Sequence, residues 1–509
     1  MAVRVYSACA LGMDGRLIEV EVDLAPGQVY FGLVGLPDAA VKEAKDRVAS
    51  ALKNSGFRPP QFFGRVTVNL APADLRKEGP AFDLPIALGI LAASSQIDPL
   101  EEEMAFLGEL ALDGRLRKIK GSLPIALGLA KRGFKKLFVP KENAAEANLA
   151  PDIEVYPADN LSQIAAHLLG QEPIALQEKQ DPFAQVSQEE VYSSDFCFIK
   201  GQEYVKRALE VAISGGHNIL LTGPPGSGKT MLAKSLPSIM PAMSREEAFE
   251  VTKLYSIAGL TSPEQPLVIK RPFRSPHHSA SAVSLVGGGA FPRPGEISLA
   301  NRGVLFLDEF PEFPREVIEN LRQPLEDGEV SISRVQGSMC FPARFILVAA
   351  MNPCPCGNQS DPEKNCTCTP IQVARYRQKL SGPIMDRIDL HIEVPRLKWE
   401  KLSGEQLAEK SQRVRQRVEQ ARQAQRIRFQ EEPILTNSEM DTRLIRKYCA
   451  IEEAEKELLK RAITKMQLSP RGYHRLLKVA RTIADLSGSD KIKAEHLAEA
   501  IQYRFREES

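Results

Sequence analysis

The sequence predicts an α/β protein: a phosphate-loop core with a helical C-terminal region, preceded by a separate α/β domain. Three observations predict it. Strand and helix signals alternate from residue 1 to about 170 and again from about 195 to 395. A single Gly-rich turn, Gly223–Thr230, joins a buried-strand signal directly to a helix. From about 396 onward the pattern is nearly all helical, with no Gly or Pro across Glu405–Phe429. A chain of 509 residues has room for about three domains and more than one core.

In chain order, Val3–Val5, Leu17–Val22, Val29–Leu33 and Arg65–Leu70 are short runs rich in β-branched or aromatic residues and read as strands. Ala39–Lys53 has apolar residues at helical spacing, Gly114 and Gly121 punctuate a hairpin, and a helix over Leu123–Lys131 precedes the strand Lys136–Val139. Residues 171–192 are polar, carry prolines and show no period, so they read as a linker between a domain at 1–170 and a core at 193–395. Residues 396–509 follow as a helical C-terminal domain, broken near Ser469-Pro470 and Gly488.

Composition narrows function before any motif is read. The net charge is +1, from 66 Lys+Arg against 65 Asp+Glu, so no bulk polycation is present and any polyanion site must be local. Eight cysteines in this length are no disulfide scaffold. The N-terminus lacks a basic region followed by an apolar one, and the most apolar stretch, Ile86–Ala93, is far shorter than the ~20 residues of a spanning helix. The expectation is a cytoplasmic protein with no membrane partner.

The strand signal Asn218–Thr222 runs into Gly223-Pro224-Pro225-Gly226-Ser227-Gly228-Lys229-Thr230, with a helix over Met231–Leu236. Glycines let backbone N–H groups close around phosphates, Lys229 reaches the β/γ oxygens, and Thr230 can ligate magnesium, so ATP and Mg²⁺ are the expected cofactors. A second apolar strand, Val304–Leu307, ends in Asp308-Glu309. The first acid can hold the metal and the next can polarise a water for attack on the γ-phosphate. A third strand, Arg344–Ala350, ends in Met351-Asn352, whose amide could align that water.

At these residues a resemblance emerges. With Arg271-Pro-Phe-Arg-Ser-Pro-His-His278, Gly287-Gly-Gly289, Pro294–Leu299, Asn352-Pro-Cys-Pro-Cys-Gly357, Ser381–Asp389 and Ala480–Asp485, the chain resembles AAA+ ATPases of the magnesium chelatase and MCM branch, and among them the YifB/ComM family. The resemblance runs from Val3 to the C-terminus. It implies a homo-hexamer with ATP sites between subunits and, for ComM-like members, a helicase driving branch migration when imported strands enter the chromosome. Single-stranded and branched DNA are then the partners, with recombination proteins as further candidates. Carried over by position, Lys229, Thr230, Asp308 and Glu309 match the phosphate-loop pair and the two acids, and Asn352 matches the first sensor. Arg387 falls where the family has its arginine finger, and Arg471 where a helical lid supplies the second sensor.

The stretch Leu254–Arg302 is long for its place and in the resemblance is an insert facing the ring's pore. It holds Lys270, Arg271, Arg274, His277, His278 and Arg293, and the hairpin Gly328–Gly337 adds Arg334. These cations are candidate phosphate contacts, which grip DNA without reading sequence. For the two histidines, packing or ATP-interface roles are the alternative. The basic face Arg413, Arg417, Arg422 and Arg426 reads as solvated lid surface.

Cys354-Pro-Cys356 and Cys366-Thr-Cys368 put four thiols in fifteen residues of polar loop. Four thiolates would satisfy tetrahedral Zn²⁺; reduced, unliganded thiols are the alternative. Cys9, Cys197, Cys340 and Cys449 read as isolated core residues.

Residues 1–170 resemble the Lon-type peptidase domain through Lys77–Pro85, Gly108–Arg117 and Lys135–Pro140. That family's serine nucleophile falls at Ala81 and its lysine base near Leu123-Pro124, so the resemblance implies a domain without proteolysis. A chelatase-type motor that remodels a protein partner is the alternative to the DNA motor, and a peptidase is opposed by Ala81.

Overall fold

The computed structural model describes residues 2–36, 38–77, 79–179, 183, 194–289, 292–334, 337–359, 361, 363–397, 408–466 and 468–504. Most of the linker read at 171–192 and the start of the helix read at Glu405 lie outside the described residues. Two compact units result: Met1–Val186 with Arg245–Ile269, and Ser187–Ser244 with Lys270–Ser509.

In the first unit, Val3–Leu11 and Asp14–Ala25 pair antiparallel around the two-residue turn Gly12-Met13, with Leu11 opposite Asp14. They sit inside a sheet ordered Tyr30–Val34, Arg65–Ala71, Asp14–Ala25, Val3–Leu11, Met104–Phe106, Lys136–Pro140 and Glu154–Ala158. Period-2 alternation sends Val5, Val20, Val22, Val66 and Val68 to one face, under the helices Ala44–Asn54 and Asp83–Ala93. Ala8, Ala105, Leu137 and Val139 face the other way, against the helix Ser122–Ala130. The apolar run Ile86–Ala93 is thus a core helix wedged on a sheet. Asp83, fully buried at its start, is held by a bidentate pair with Arg47 at 2.7 and 2.9 Å.

One segment departs from the sequential division the sequence suggests. The helix Arg245–Ala258 and the chain to Ile269 belong to the first unit, although they follow the phosphate loop in sequence. Buried Glu146 explains the attachment: its carboxylate accepts from the Leu123 N–H at 2.9 Å and from the hydroxyls of Ser256 and Thr261. Such a carboxylate keeps its place because both of its oxygens have donors.

The second unit is built on five parallel strands in the order Phe273–Arg274, Val304–Leu307, Ile346–Met351, Ile219–Thr222 and Leu390–Glu393. Their side chains are apolar on both faces, as a parallel sheet covered by helices requires. The helix after the glycine loop spans Lys229–Lys234, and the hairpin strands Glu329–Arg334 and Gly337–Pro342 form a separate ribbon. The C-terminal helices Ser411–Arg428, Thr442–Tyr448, Glu453–Met466, Pro470–Leu486 and Ala494–Gln502 share one core with the sheet.

Two buried acids lock this unit. Asp389 accepts from the Asn218 N–H at 3.0 Å and from Arg475 at 2.8 Å, joining the start of the loop-bearing strand to the helix Pro470–Leu486. Burial alone would raise its pKa, yet Arg475, His217 and the Asn218 N–H hold it well below the usual carboxylate range. Asp485 receives Arg428, Arg481 and Asn437. That is the physical content of the run Ala480–Asp485: its charged ends are a buried network.

Candidate functional site

Strand order brings three carboxyl ends together. The strand Ile346–Met351 lies between the loop-bearing strand and the acid-bearing strand, with Thr222 in register with Met351 and Leu307 with Ala349. Glycine loop, sensor amide and acids therefore emerge side by side, where open α/β sheets place their ligands.

Gly226 and Gly228 hold φ of +77° and +92°, left-handed geometry that lets the loop curl. Lys229 Nζ lies inside that curl, donating to Gly223 O at 2.7 Å, Pro224 O at 3.0 Å and Asn352 Oδ1 at 3.2 Å. Burial pulls its pKa down, against the Asp308 and Glu309 carboxylates. Thr230 Oγ1 donates to Asp308 Oδ2 at 2.7 Å, so the two groups that could share a magnesium ion already meet. Glu309 follows at φ +52°, its N–H donating to Asp308 Oδ1 at 3.0 Å. That backbone turns its carboxylate away from Asp308 and leaves it exposed, 3.4 Å from His278 Nδ1. A lysine for phosphate oxygens, a hydroxyl–carboxylate pair for a divalent cation and an exposed acid for a water are what phosphoryl transfer to water requires.

The structure does not bring Arg387 and Arg471 into that hydrogen-bonded set. Both meet Glu326 instead: Arg387 through a short ion pair, Arg471 at 3.0 Å. The Arg387 hydrogen bond, with the nearby charges of Arg471 and Arg475, lowers the pKa of Glu326. Arg387 is 9% exposed and donates also to Pro383 O at 2.8 Å. Two guanidiniums on one carboxylate form a positive cluster with a local anion already in place.

The remaining candidates divide. Arg271 donates to Pro241 O and Arg302 O, and Arg274 forms a bidentate pair with Glu296 at 2.6 and 2.7 Å, so both serve intramolecular structure here. Lys270 and Arg293 are exposed, Arg293 on the small ribbon that pairs Gly287-Gly288 with Arg293-Pro294. Arg334 ends a ribbon strand; its side chain lies outside the described residues. Of the basic helix face, Arg417 pairs with Glu210 and Glu409 and Arg422 donates to Ile213 O, while Arg413 and Arg426 are exposed. His278 stands beside Glu309, its Nδ1 3.4 Å from the carboxylate.

The four loop cysteines converge, every sulfur within 4.8 Å of the others. This donor set suits a soft, tetrahedral metal ion. Of the other four, Cys197 and Cys449 are buried, but Cys340 is exposed on a ribbon strand, correcting its reading as a core residue. In the first unit, Ala81 packs against an apolar cluster and Pro124 is buried in the helix Ser122–Ala130. Lys77, wholly buried, donates to Pro72 O, and burial lowers its pKa.

Sequence reasoning missed Glu326, Asp389 with Arg475, and Tyr376, whose phenol lies at the Asn352 backbone and is pushed up to about 12 by burial and by Glu312. Each is one acid or phenol among many, and only folding reveals its partners. No helix among the described residues is long and apolar enough to cross a membrane.

Family models match three stretches: "Subunit ChlI of Mg-chelatase" over residues 20–143, "Magnesium chelatase, subunit ChlI" over 195–402, and its C-terminal part over 408–504. The chain is 46% identical to the competence protein ComM of Haemophilus influenzae, covering 98% of this chain and 97% of that one. It is 44% identical to the Escherichia coli protein YifB, covering 98% and 96%. The Lon protease of Rhizobium meliloti is 28% identical over 167 residues, 31% of this chain and 21% of that protease.

Proposed function

The chain belongs to the magnesium chelatase-like AAA+ family of ComM and YifB, which implies ATPase activity, and we propose that it is a DNA translocase. In this reading a homo-hexamer hydrolyses ATP between subunits, moves single strands and promotes branch migration of recombination intermediates during natural transformation. The observation that supports it is the conjunction of the Lys229–Thr230–Asp308–Asn352 cluster with likeness to a competence protein over nearly the full length of both chains.

ATP and magnesium are the cofactors; Thr230 and Asp308 would hold the metal, which would draw charge from the phosphate oxygens, and the cysteine cluster would take zinc. Lys229 binds the terminal phosphates, Asn352 orients the attacking water, and Glu309 polarises it and accepts its proton. Arg387 is offered to a neighbour's ATP, where its planar guanidinium meets charge building on the transferred group. Arg471 is the lid's sensor. Glu326 is the carboxylate both arginines leave when phosphate arrives. Lys270 and Arg293 are the exposed cations that grip the strand, with recombination proteins as candidate partners. The place of action is the cytoplasm.

The test is the ATPase rate with and without single-stranded DNA, run beside strand exchange on a three-strand branch. Stimulation by DNA and ATP-dependent branch movement are expected. A protein that turns over ATP at one rate regardless of DNA, and moves no branch, would instead be a motor for a protein partner.

A further inference from the structure

The segment after Asn352 carries a second centre that abuts the first. Cys354 Sγ lies 3.4 Å from Cys356 Sγ and 3.6 Å from Cys366 Sγ, with 3.5 Å between Cys356 and Cys366. Zinc–sulfur bonds of about 2.3 Å in a tetrahedron space the sulfurs by about 3.8 Å. The cluster is within a few tenths of an ångström of that spacing at three edges. A disulfide needs about 2.0 Å, which no pair approaches. The backbone is shaped for thiolates too: the Cys356 N–H points at Cys368 Sγ at 3.4 Å, and the Gly357 N–H closes the turn on Cys354 O at 3.0 Å.

What this loop touches matters more than that it gathers sulfur. Cys354 is fully buried and stands two residues beyond Asn352, the amide that accepts from Lys229 Nζ. Gly357 has φ +81°, and a Cβ there would lie 2.6 and 2.7 Å from Cδ and Cγ of Pro225 and 3.8 Å from Cγ of Asn352. The tip of the cysteine turn therefore rests on the phosphate loop and beside the sensor side chain, with no room for a methyl group between them. The far side of the same loop is tied down as well: Asp361 and Glu363 pair with Arg396, just past the strand Leu390–Glu393. Those ion pairs fix the far side; at the sulfur end, four thiols among few apolar residues leave a metal ion as the natural clamp.

We propose that Cys354, Cys356, Cys366 and Cys368 bind one zinc ion, and that the zinc-folded turn is a positioning element of the ATP site, holding Pro225 and Asn352 in register with Lys229. The inference rests on ATP binding at Gly223–Thr230 and is independent of DNA. Zinc takes no part in hydrolysis here. It fixes the wall against which the phosphate loop closes, much as outer partners orient a metal's own ligands.

The test uses the full-length protein purified under reducing conditions. Elemental analysis is expected to find one zinc per chain, and cobalt exchanged into the site should give the visible bands of a tetrahedral tetrathiolate. Adding a non-hydrolysable ATP analogue with magnesium should shift those bands, a readout that a remote structural metal would not give. Cys366→Ser with Cys368→Ser should lose the metal and raise the KM for ATP by about tenfold. Gly357→Ala keeps all four thiols but strains the turn at φ +81°, so its zinc is measured first; with zinc retained, ATP binding should weaken, which covers the case in which the double variant fails to fold. Protein free of zinc, or holding iron, overturns the site. Zinc present, with cobalt bands unmoved by nucleotide and parental KM in Gly357→Ala, overturns the positioning role. A parent that binds no ATP at all would instead sink the ATPase reading.

Discussion

The two units are both sheets clothed in helices, and they treat the ends of their strands in opposite ways. In the second unit, polar groups converge where three parallel strands stop: Lys229 on Asn352, Thr230 on Asp308, Glu309 beside His278. In the first unit, the positions that the resemblance to Lon-type peptidases assigns to nucleophile and base hold Ala81, against an apolar cluster, and Leu123-Pro124, buried in a helix. Among its buried polar groups, Arg47 pairs with Asp83 and Glu146 takes three donors from its own unit. A fold can outlast its chemistry when the scaffold is held by apolar packing and saturated pairs, because neither depends on the reactive groups.

The two units should respond differently when reactive groups are removed from one or added to the other. Glu309→Gln should lower ATP turnover by about 10²–10³-fold while nucleotide still binds, as expected when one oriented group is removed from a preorganised site. Arg387→Ala should lose about 10³-fold or more and regain activity when mixed with Lys229→Ala subunits, since some sites then have an intact loop and an intact arginine. Ala81→Ser should create no peptidase, because neither Leu123 nor Pro124, where the resemblance puts the base, can deprotonate the new hydroxyl. Peptide hydrolysis by Ala81→Ser, or parental turnover in Glu309→Gln, would erase the distinction drawn between the units.

How much of this was legible follows from how local each signal is. The glycine loop, the acid pair and Asn352 are contiguous runs with a strand in front, so their roles could be read from one line of sequence. The cysteine quartet could be read as well, since four thiols in fifteen residues have few uses. The assignment of residues 245–269 to the first unit could not: it depends on Glu146 meeting Ser256 and Thr261 across more than a hundred residues of chain. Glu326 was invisible for the same reason, as its two arginines come from distant segments. Nor does charge counting show what occupies Arg271 and Arg274. A guanidinium in a loop is equally suited to a phosphate or to a carbonyl and carboxylate of its own chain, and only packing decides.

Acidity also sets the two units apart, with opposite signs. Asp389 is depressed by Arg475, so its contribution is present above the ordinary unfolded value of about 4 and is lost as pH falls through and below it. Asp83 is raised to about 6, chiefly by burial and despite Arg47, so the folded state holds its proton more tightly than the unfolded one. Between about pH 4 and 6 that group makes the first unit less stable as pH rises. Hydrogen exchange in Arg65–Ala71 and in Leu390–Glu393 reads the two units separately. Asp389→Asn should destabilise the second by ~3–5 kcal/mol, the cost of stranding a buried charge, and should flatten its acid loss. Asp83→Asn should remove the pH 4–6 slope from the first. Equal slopes in the two units, or slopes unchanged in both variants, would contradict these assignments.

The smallest effect expected is on DNA, and it separates exposed cations from occupied ones. Arg293 and Lys270 are exposed, whereas Arg274 is committed to Glu296 and Arg271 to backbone carbonyls. Under the proposed function, Arg293→Ala should weaken single-strand binding by a few-fold per engaged subunit. It should also flatten the logarithmic salt dependence by about 0.7 for each phosphate that is no longer neutralised. Arg274→Ala has a different signature. Removing it strands the Glu296 carboxylate near the ribbon that carries Arg293, so thermal stability should fall while the salt slope stays near the parent's. A salt titration of both variants decides the matter. Should Arg274→Ala flatten the slope and Arg293→Ala leave it untouched, the Arg274–Glu296 pair opens to receive DNA, and the strand is gripped by the cations that the resting chain keeps neutralised.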